Sequence, residues 1–557
     1  MGAGNETFER LASFGLTANF MVYLLTQFHM DQVMASNVLS IWSGFTNFGP
    51  LIGAYLSDSY LGKFSTIGYA SIASFLGMLT LTLIAWIPQL HPPQCDAQVQ
   101  CRGPTKSQFG VLAVALGFLS IGTAGIRPCS LPFGVDQFDA NSEEGRKGIN
   151  SFFNWYYASF TVVLILALTL VVYIQDSVSW TLGFGIPTVL MLCSVVLFYA
   201  GMKLYVYVQP EGSVFSGIAR VLVATYKKRK LDLPYGEDID GVYYDPPLNG
   251  TVVKKLHLTN QFRFFNKAAL IIDGEVRPDG SNANSWRLCS IHQVEETKCL
   301  FRVIPIWASG IICFVGIAQQ NTFAVSQASK MDRHLGPNNF QIPIGSLPVI
   351  SFITIGIWLP FYDRVLVPSL RKITRVEGGI TLLQRMGIGI VFSVLSMVIA
   401  GLVERMRRAS AISHGRPDGM APMTVFWLAP QLALMGFAEA FNFIGQIEFY
   451  NKEFPENMSS VANSLFSCSM AGASYLGAVL VNLVHNTTGR NGHPDWLTKD
   501  VNAGRVENLY FLIAGLGILN LGYFLWVSRS YQYKSKYRID DDDEKNDFDV
   551  ELNVVKH

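Results

Sequence analysis

About twelve stretches of roughly 20 apolar residues recur along this 557-residue chain, and each is long enough for a helix to cross a bilayer core of about 30 Å. They fall near residues 5–28, 34–57, 65–88, 107–133, 150–174, 179–204, 298–325, 345–366, 382–404, 424–449, 458–485 and 506–528. One long polar interval, 205–297, separates the sixth from the seventh. The expected fold is an all-α membrane protein: a six-helix bundle over 1–204, a cytosolic linker over 205–297, a second six-helix bundle over 298–529, and an acidic cytosolic tail over 530–557. Two such sets suit a transporter whose halves rock about a central site. A channel is the alternative architecture, but the sequence carries no filter-like loop. Composition agrees, with 50% hydrophobic and only 15% charged residues, against about 25% charged in an ordinary soluble protein.

Lysine and arginine orient the spans. Lys227, Lys228, Arg229, Lys230, Lys254 and Lys255 place the linker in the cytosol, and an even number of spans then puts both termini there. Lys63, Arg146, Lys147, Arg364, Arg371 and Lys372 agree, whereas Arg405, Arg407, Arg408 and Arg416 would lie outside, against the rule. The N-terminus lacks the basic region and cleavage site of a signal peptide, so the first helix is expected to act as its own insertion signal.

Charges inside apolar runs are expensive and are read first as functional. Glu6, Glu9 and Arg10 head the first span at spacings that share one helical stripe. The plainer reading is a capped helix end at the cytosolic edge. Arg127 in the fourth span and Glu439 in the tenth are lone charges, each in need of a partner. They are expected to face the central cavity from opposite halves, with Arg127 offering a planar fork to sulfate, carboxylate or nitrate.

The loops carry weaker signals. Cys95 and Cys101 flank a short loop on the outer side, where a disulfide is permitted, and Asn486-Thr487-Thr488 is a glycosylation sequon ahead of the last span. Residues 214–226 read as an amphipathic helix lying on the inner membrane surface, bracing the two halves, or serving as a plain linker helix with a basic end. Asp540 to Asp543 and Glu544 form an acidic run expected to be solvated and disordered. The remaining cysteines have no metal-ligand spacing, so no metal and no bound cofactor are expected. Net charge of +1 gives no reason to expect a nucleic-acid partner. No phosphate loop occurs, because Gly62-Lys63 runs into Phe64, and the nine histidines form no catalytic grouping. The chain is expected not to be an enzyme.

Gly53-Ala-Tyr-Leu-Ser-Asp58-Ser-Tyr-Leu-Gly62-Lys63-Phe-Ser-Thr66-Ile67 resembles a signature of the proton-coupled oligopeptide transporters of the major facilitator superfamily. Read physically, it is a tight turn in which glycines permit close helix approach and Asp58 can face a helix N-terminus. Glu6-x-x-Glu9-Arg10 matches that family's proton-coupling motif, and Gly125-Ile126-Arg127-Pro128, Phe133-Gly134 and Asp136-Gln137-Phe138 match its fourth span. Phe153-Asn154-Trp155-Tyr156-Tyr157, Tyr362-Asp363-Arg364, Gly445-Gln446-x-Glu448-Phe449 and Phe454-Pro-Glu456-Asn457-Met458 look like the plant nitrate and peptide transporter family. The resemblance covers nearly the whole chain.

It implies proton-coupled symport by alternating access, with protons as the coupling ion, Glu6, Glu9 and Arg10 in coupling, Arg127 at the substrate, and Glu439 paired across the halves with Arg127 or with the substrate's amine. Thr66 falls at the family's phosphorylation-switch position, implying a regulatory kinase, although a helix-capping threonine accounts for it equally. Relatives carry a further stretch ahead of the coupling motif, and peptide carriers follow it with a tyrosine pair where this chain has Leu11-Ala-Ser-Phe14. A nitrate-binding histidine of one relative is replaced by Ile317, beside Gln319 and Gln320. Trp155, Tyr156, Trp307 and Phe441 are candidates to stack on a sugar or aglycone. The branch that holds glucosinolate and other glucoside carriers beside low-affinity nitrate carriers looks nearest. The expected substrate is therefore an anionic or neutral glucoside. Low-affinity nitrate transport and nutrient sensing with little transport are the alternatives. The resemblance also implies a plasma-membrane or tonoplast protein, monomeric or weakly dimeric.

Overall fold

A computed structural model describes residues 2–93, 103–138, 142–144, 148, 152, 162–207, 214–233, 242–246, 258–335, 341–374, 379–414, 419–455, 458–489, 495–498, 500–531 and 533. The first half comprises α1 (Gly2–Thr26), α2 (Gln32–Leu56), α3 (Lys63–Trp86), α4 (Lys106–Val135), α5 (Val162–Val178) and α6 (Trp180–Ala200). The linker contributes α7 (Val214–Lys227). The second half holds α8 (Ile291–Ser329), α9 (Val349–Phe361) running through a π turn into α10 (Val367–Thr374), then α11 (Leu382–His414), α12 (Ala429–Glu453), α13 (Ser459–Thr488) and α14 (Val506–Ser530). Each expected span meets a helix.

Eight of these segments are long and apolar enough to cross a membrane on their own composition. α1, α2 and α12 are not among them, and the reason is visible in what they bury. Glu9, Ser13 and Asn19 on α1, Gln32, Ser36 and Ser40 on α2, and Gln431, Glu439, Asn442 and Gln446 on α12 are all sequestered from solvent. Their polar stripes turn into protein, so these helices need less lipid-facing apolar surface.

Several helices outrun the apolar windows that announced them. α8 starts at Ile291, so its first two turns belong to the interval read as linker. α11 continues to His414 and therefore contains Arg405, Arg407 and Arg408 as helical residues. Asn486 sits exposed in the last turns of α13 and not in a loop as expected, because Thr487 and Thr488 continue the helix with hydroxyls bonded back to Leu483 and Val484. Cys95, Cys101, Lys254, Lys255, Arg416 and the acidic tail lie outside the described residues.

Proline and glycine set the tightest crossing. Pro128 has no N–H to offer the carbonyl of Ala124 one turn earlier in α4. That carbonyl faces α2, where a Cβ built on Gly53 would lie 1.8 Å from its oxygen. Glycine alone lets the two backbones meet at this point. Gly53→Ala should force α2 from α4, at roughly 1–3 kcal/mol or more for overpacking. Size-exclusion profiles of the detergent-solubilised variant should show a reduced monodisperse peak.

The halves join at the end where α1 finishes. Leu16, Phe20 and Met30 pack in one cluster with Val325, Ala328, Ile344 and Leu347. Asn37 and Asn482 exchange a reciprocal amide pair at 2.9 Å in both directions. Ser474 donates to Ser43 at 3.2 Å, and Arg333 lies 4.0 Å from Asp176. These contacts hold the two halves together at that end.

α7 is amphipathic as expected, but its apolar face covers protein. Val221 and Ala224 are fully buried in a cluster with Phe265, Cys289 and Val294, and Phe215 and Ile218 lean on Cys299 and Val303 of α8. The helix thus braces the second half. Burial pushes the Cys289 thiol up to about 11, consistent with a packing role.

Candidate functional site

Glu9 and Ser13 stand one turn apart on α1, and Thr123 and Arg127 stand one turn apart on α4. Spacing of four residues aligns each pair on one helical face, and α1 packs beside α4 so that the two faces meet. Glu9 Oε1 accepts hydrogen bonds from Ser13 Oγ at 2.5 Å and from Thr123 Oγ1 at 3.1 Å. Its Oε2 accepts none among the described residues and lies 3.9 Å from Arg127 Nε. The Glu9 side chain is 1% exposed while that of Arg127 is 29% exposed. A sealed carboxylate is thus held against a cation that solvent can still reach.

This corrects the expected cross-half bridge. Arg127 pairs with Glu9 inside its own half, and Glu439 has no ion-pair or hydrogen-bond partner among the described residues. The cause is packing: α1 and α4 share a half, whereas α12 belongs to the other. Glu439 remains a buried carboxylate above the ladder Asn442–Gln446–Tyr450, whose members bond successively at 2.5 Å and 3.1 Å. Arg10 is half-buried, and the side chain of Glu6 lies outside the described residues.

The remaining candidates separate by position. Ile317 is buried in the core of the second half with Met397, Met435 and Ile513. Gln319 is fully buried with neither amide atom bonded among the described residues, its nitrogen against Gly477. Gln320 accepts from Ser396 at 2.6 Å. Phe441 stacks on Phe392 at 5.7 Å and meets Trp358 and Tyr362. At 3.6 residues per turn it points roughly 200° around α12 from Glu439, so the two do not share a face. Trp307 gives its indole N–H to the carbonyl of Leu465 at 2.9 Å. Trp155 and Tyr156 lie outside the described residues.

Comparison with known proteins agrees with the geometry. A model of the POT family matches residues 64–497. The chain belongs to the POT family. It is 59% identical over 556 residues to Protein NRT1/PTR FAMILY 2.13 of Arabidopsis thaliana, covering 99% of this chain and 90% of that protein. Protein NRT1/PTR FAMILY 2.12 of the same plant is 55% identical over 553 residues, covering 99% and 94%. The crystal structure of the POT family transporter PepTSo superposes with a TM-score of 0.69 at 19% identity, covering 95% of this chain and 97% of that one. The protein is a membrane transporter of the plant NRT1/PTR family, with the major facilitator fold, and not an enzyme.

The signature turn of this transporter is held differently from expectation. Gly62 takes φ +74°, which a side chain would strain. Lys63, the next residue, reaches Asp136 at the end of α4 at 2.6 Å. Asp58 is half-buried in the π turn Ser57–Leu61 and accepts no hydrogen bond among the described residues, so it does not cap a helix. Thr66 is buried and donates to the carbonyl of Gly62 at 2.9 Å. A kinase reaches that hydroxyl only if the turn opens.

Sequence reading passed over Ser13 and Thr123, the two hydroxyls on Glu9. Their signal was spacing: each lies four residues from a charge already singled out. It also counted Arg407 and Arg408 as free positive charge. Arg407 is completely buried and clamps Glu404 through two hydrogen bonds, at 2.8 and 2.7 Å, while Arg408 pairs with Glu507. The orientation rule counts lysine and arginine and not net charge, so this pairing explains how the two arginines are accommodated and leaves the conflict at that loop in place.

Proposed function

We propose that this transporter is a proton-coupled symporter that imports an organic plant metabolite, an anionic or neutral glucoside of glucosinolate or cyanogenic-glucoside type, by alternating access. The observation that carries this reading is the Glu9–Arg127 pair. One carboxylate holds the guanidinium that an anionic substrate would need, so a proton on Glu9 and an anion on Arg127 favour each other. Protonation removes the negative partner and frees a planar fork for a sulfate or carboxylate. Release of both on the linker side lets Glu9 recapture Arg127. One proton with one monovalent anion would be electroneutral, so at least two protons accompany each anion in this reading. Each net positive charge then gains about 2.3 kcal/mol per 100 mV, and the membrane potential drives uptake.

Ile317 supports an organic solute over nitrate, because a buried aliphatic side chain offers nitrate no donor. The Arg127 fork itself suits nitrate as well, and this keeps low-affinity nitrate symport as the second reading. Membrane current in oocytes at acidic external pH separates them. Inward current with an anionic glucoside, absent with nitrate, is the expected result; current with nitrate alone would overturn the substrate class.

Arg127 should be the most sensitive substrate position. Charge-assisted hydrogen bonds contribute roughly 1.5–3 kcal/mol each, so Arg127→Ala should raise the half-saturating concentration by about 10- to 100-fold. Arg127→Lys restores charge but not the fork and should fall between. Concentration dependence of the current measures both.

A further inference from the structure

The cycle proposed above makes no use of the outward face of α7, and that face is built unlike a plain solvated one. Its inner side is anchored: Lys228, itself buried just past the helix end, donates to the Leu270 carbonyl and to Glu275, both at 2.6 Å. Its outer side exposes Leu222 and Tyr226, beside the exposed ring of Trp286. Cations surround these rings. The Arg229 guanidinium lies 4.2 Å over Tyr226, Arg220 lies 6.0 Å from Trp286, and Lys227 reaches the Trp286 carbonyl at 3.3 Å. Lys230 and Arg287 are exposed alongside. Arg287 pairs with one oxygen of Glu275 at 3.4 Å while Lys228 holds the other.

The chain's own C-terminal segment has the matching chemistry. Residues 540–551 carry Asp540 to Asp543, Glu544, Asp547, Asp549 and Glu551 against Lys545 alone, with Phe548 and Val550 between the acids. Its departure point is fixed beside α7. Tyr531 and Tyr533 pack against the cluster of Cys299, Val303 and Phe454 that also receives Phe215 and Ile218 of α7. Tyr531 is pinned there by a 2.7 Å hydrogen bond to Glu453. From Tyr533, seven residues lead to Asp540, a reach of up to about 25 Å at full extension. The basic end of α7 lies only about 14 Å along the helix from Ile218.

We propose that the acidic segment 540–551 docks in cis on the basic, aromatic outer face of α7 and straps the tail to the linker. A short tether supplies an effective concentration on the order of millimolar, so weak individual ion pairs suffice to hold it. The inference does not depend on the transported substrate or on proton coupling.

Zero-length carbodiimide coupling on the full-length transporter in an uncharged detergent tests it. Peptide mapping should find tail carboxylates joined to Lys227 and Lys230 at low salt. That product should disappear near 1 M salt, where the screening length is about 3 Å, and in the variant with Asp540 to Asp543 changed to Asn. Reversing the charges on both sides should restore coupling with donor and acceptor exchanged: Lys227→Glu, Arg229→Glu and Lys230→Glu combined with Asp540→Lys, Asp541→Lys, Asp542→Lys and Asp543→Lys. Coupling of the tail only to other lysines, or a yield unchanged by the Asn variant, would overturn the proposal. So would protection of Lys227 and Lys230 by anionic phospholipid vesicles with the tail left uncoupled, which would assign the face to a membrane surface.

Discussion

Glu9→Gln should abolish uptake against a gradient while leaving exchange of substrate across the membrane. The amide matches the protonated carboxyl in shape and charge, and it can still accept from Ser13 and Thr123, the two hydroxyls on Glu9. What it removes is the anion 3.9 Å from Arg127. At an effective dielectric of about 20, unit charges near 4 Å attract by about 4 kcal/mol, so the free guanidinium becomes available to an anion at every pH. Binding should therefore become independent of external pH, whereas in the wild type it tightens with acidity. Net accumulation should fall to the equilibrium level because no residue of the pair now carries a proton across. Tracer accumulation and counterflow, measured on the same proteoliposomes, separate the two quantities. Accumulation that persists with its pH dependence would remove Glu9 from coupling and shift attention to Glu439, the other buried carboxylate.

The contrast between that pair and the one expected from sequence shows where sequence reading ends. Apolar runs near 20 residues fix the number and approximate place of the helices, because bilayer thickness sets their length. Glu9, Arg127 and Glu439 stand out for the same reason, as charges in apolar surroundings. Which of them touch is decided by the packing of α1 on α4, and a single chain carries no trace of that beyond four-residue spacings. Helix ends are misread where the turns beyond the apolar window rest on protein instead of lipid. The first turn of α8 is covered by the linker cluster, and the end of α11 carries charges that are paired internally. The Gly53 crossing was legible as a close approach. The carbonyl that makes it necessary follows from Pro128, so it could have been derived.

Arg407→Met should destabilise the fold by about 3–5 kcal/mol, the typical result of stranding one partner of a buried ion pair. Arg407 and Glu404 are each 0% exposed and joined by two parallel hydrogen bonds. The third arm of the guanidinium donates to Asn502 at 2.8 Å, and Asn502 in turn donates to the Gly419 carbonyl at 2.7 Å. One side chain thus ties α11 to the segment before α14 and to the segment before α12. Removing it leaves Glu404 charged in a dry site, or forces it to take a proton, and either outcome favours the unfolded chain. The double change Glu404→Leu with Arg407→Met removes both charges and should recover most of the loss, since a packed apolar pair often matches a buried ion pair. Thermal unfolding of the purified protein in detergent should rank wild type and the double variant together, well above Arg407→Met. Arg407→Lys should melt between them, because an ammonium keeps the charge but cannot reach Glu404 and Asn502 with a planar fork. Equal melting of Arg407→Met and wild type would mean that water or relaxation already solvates Glu404, and that this pair contributes nothing to the fold.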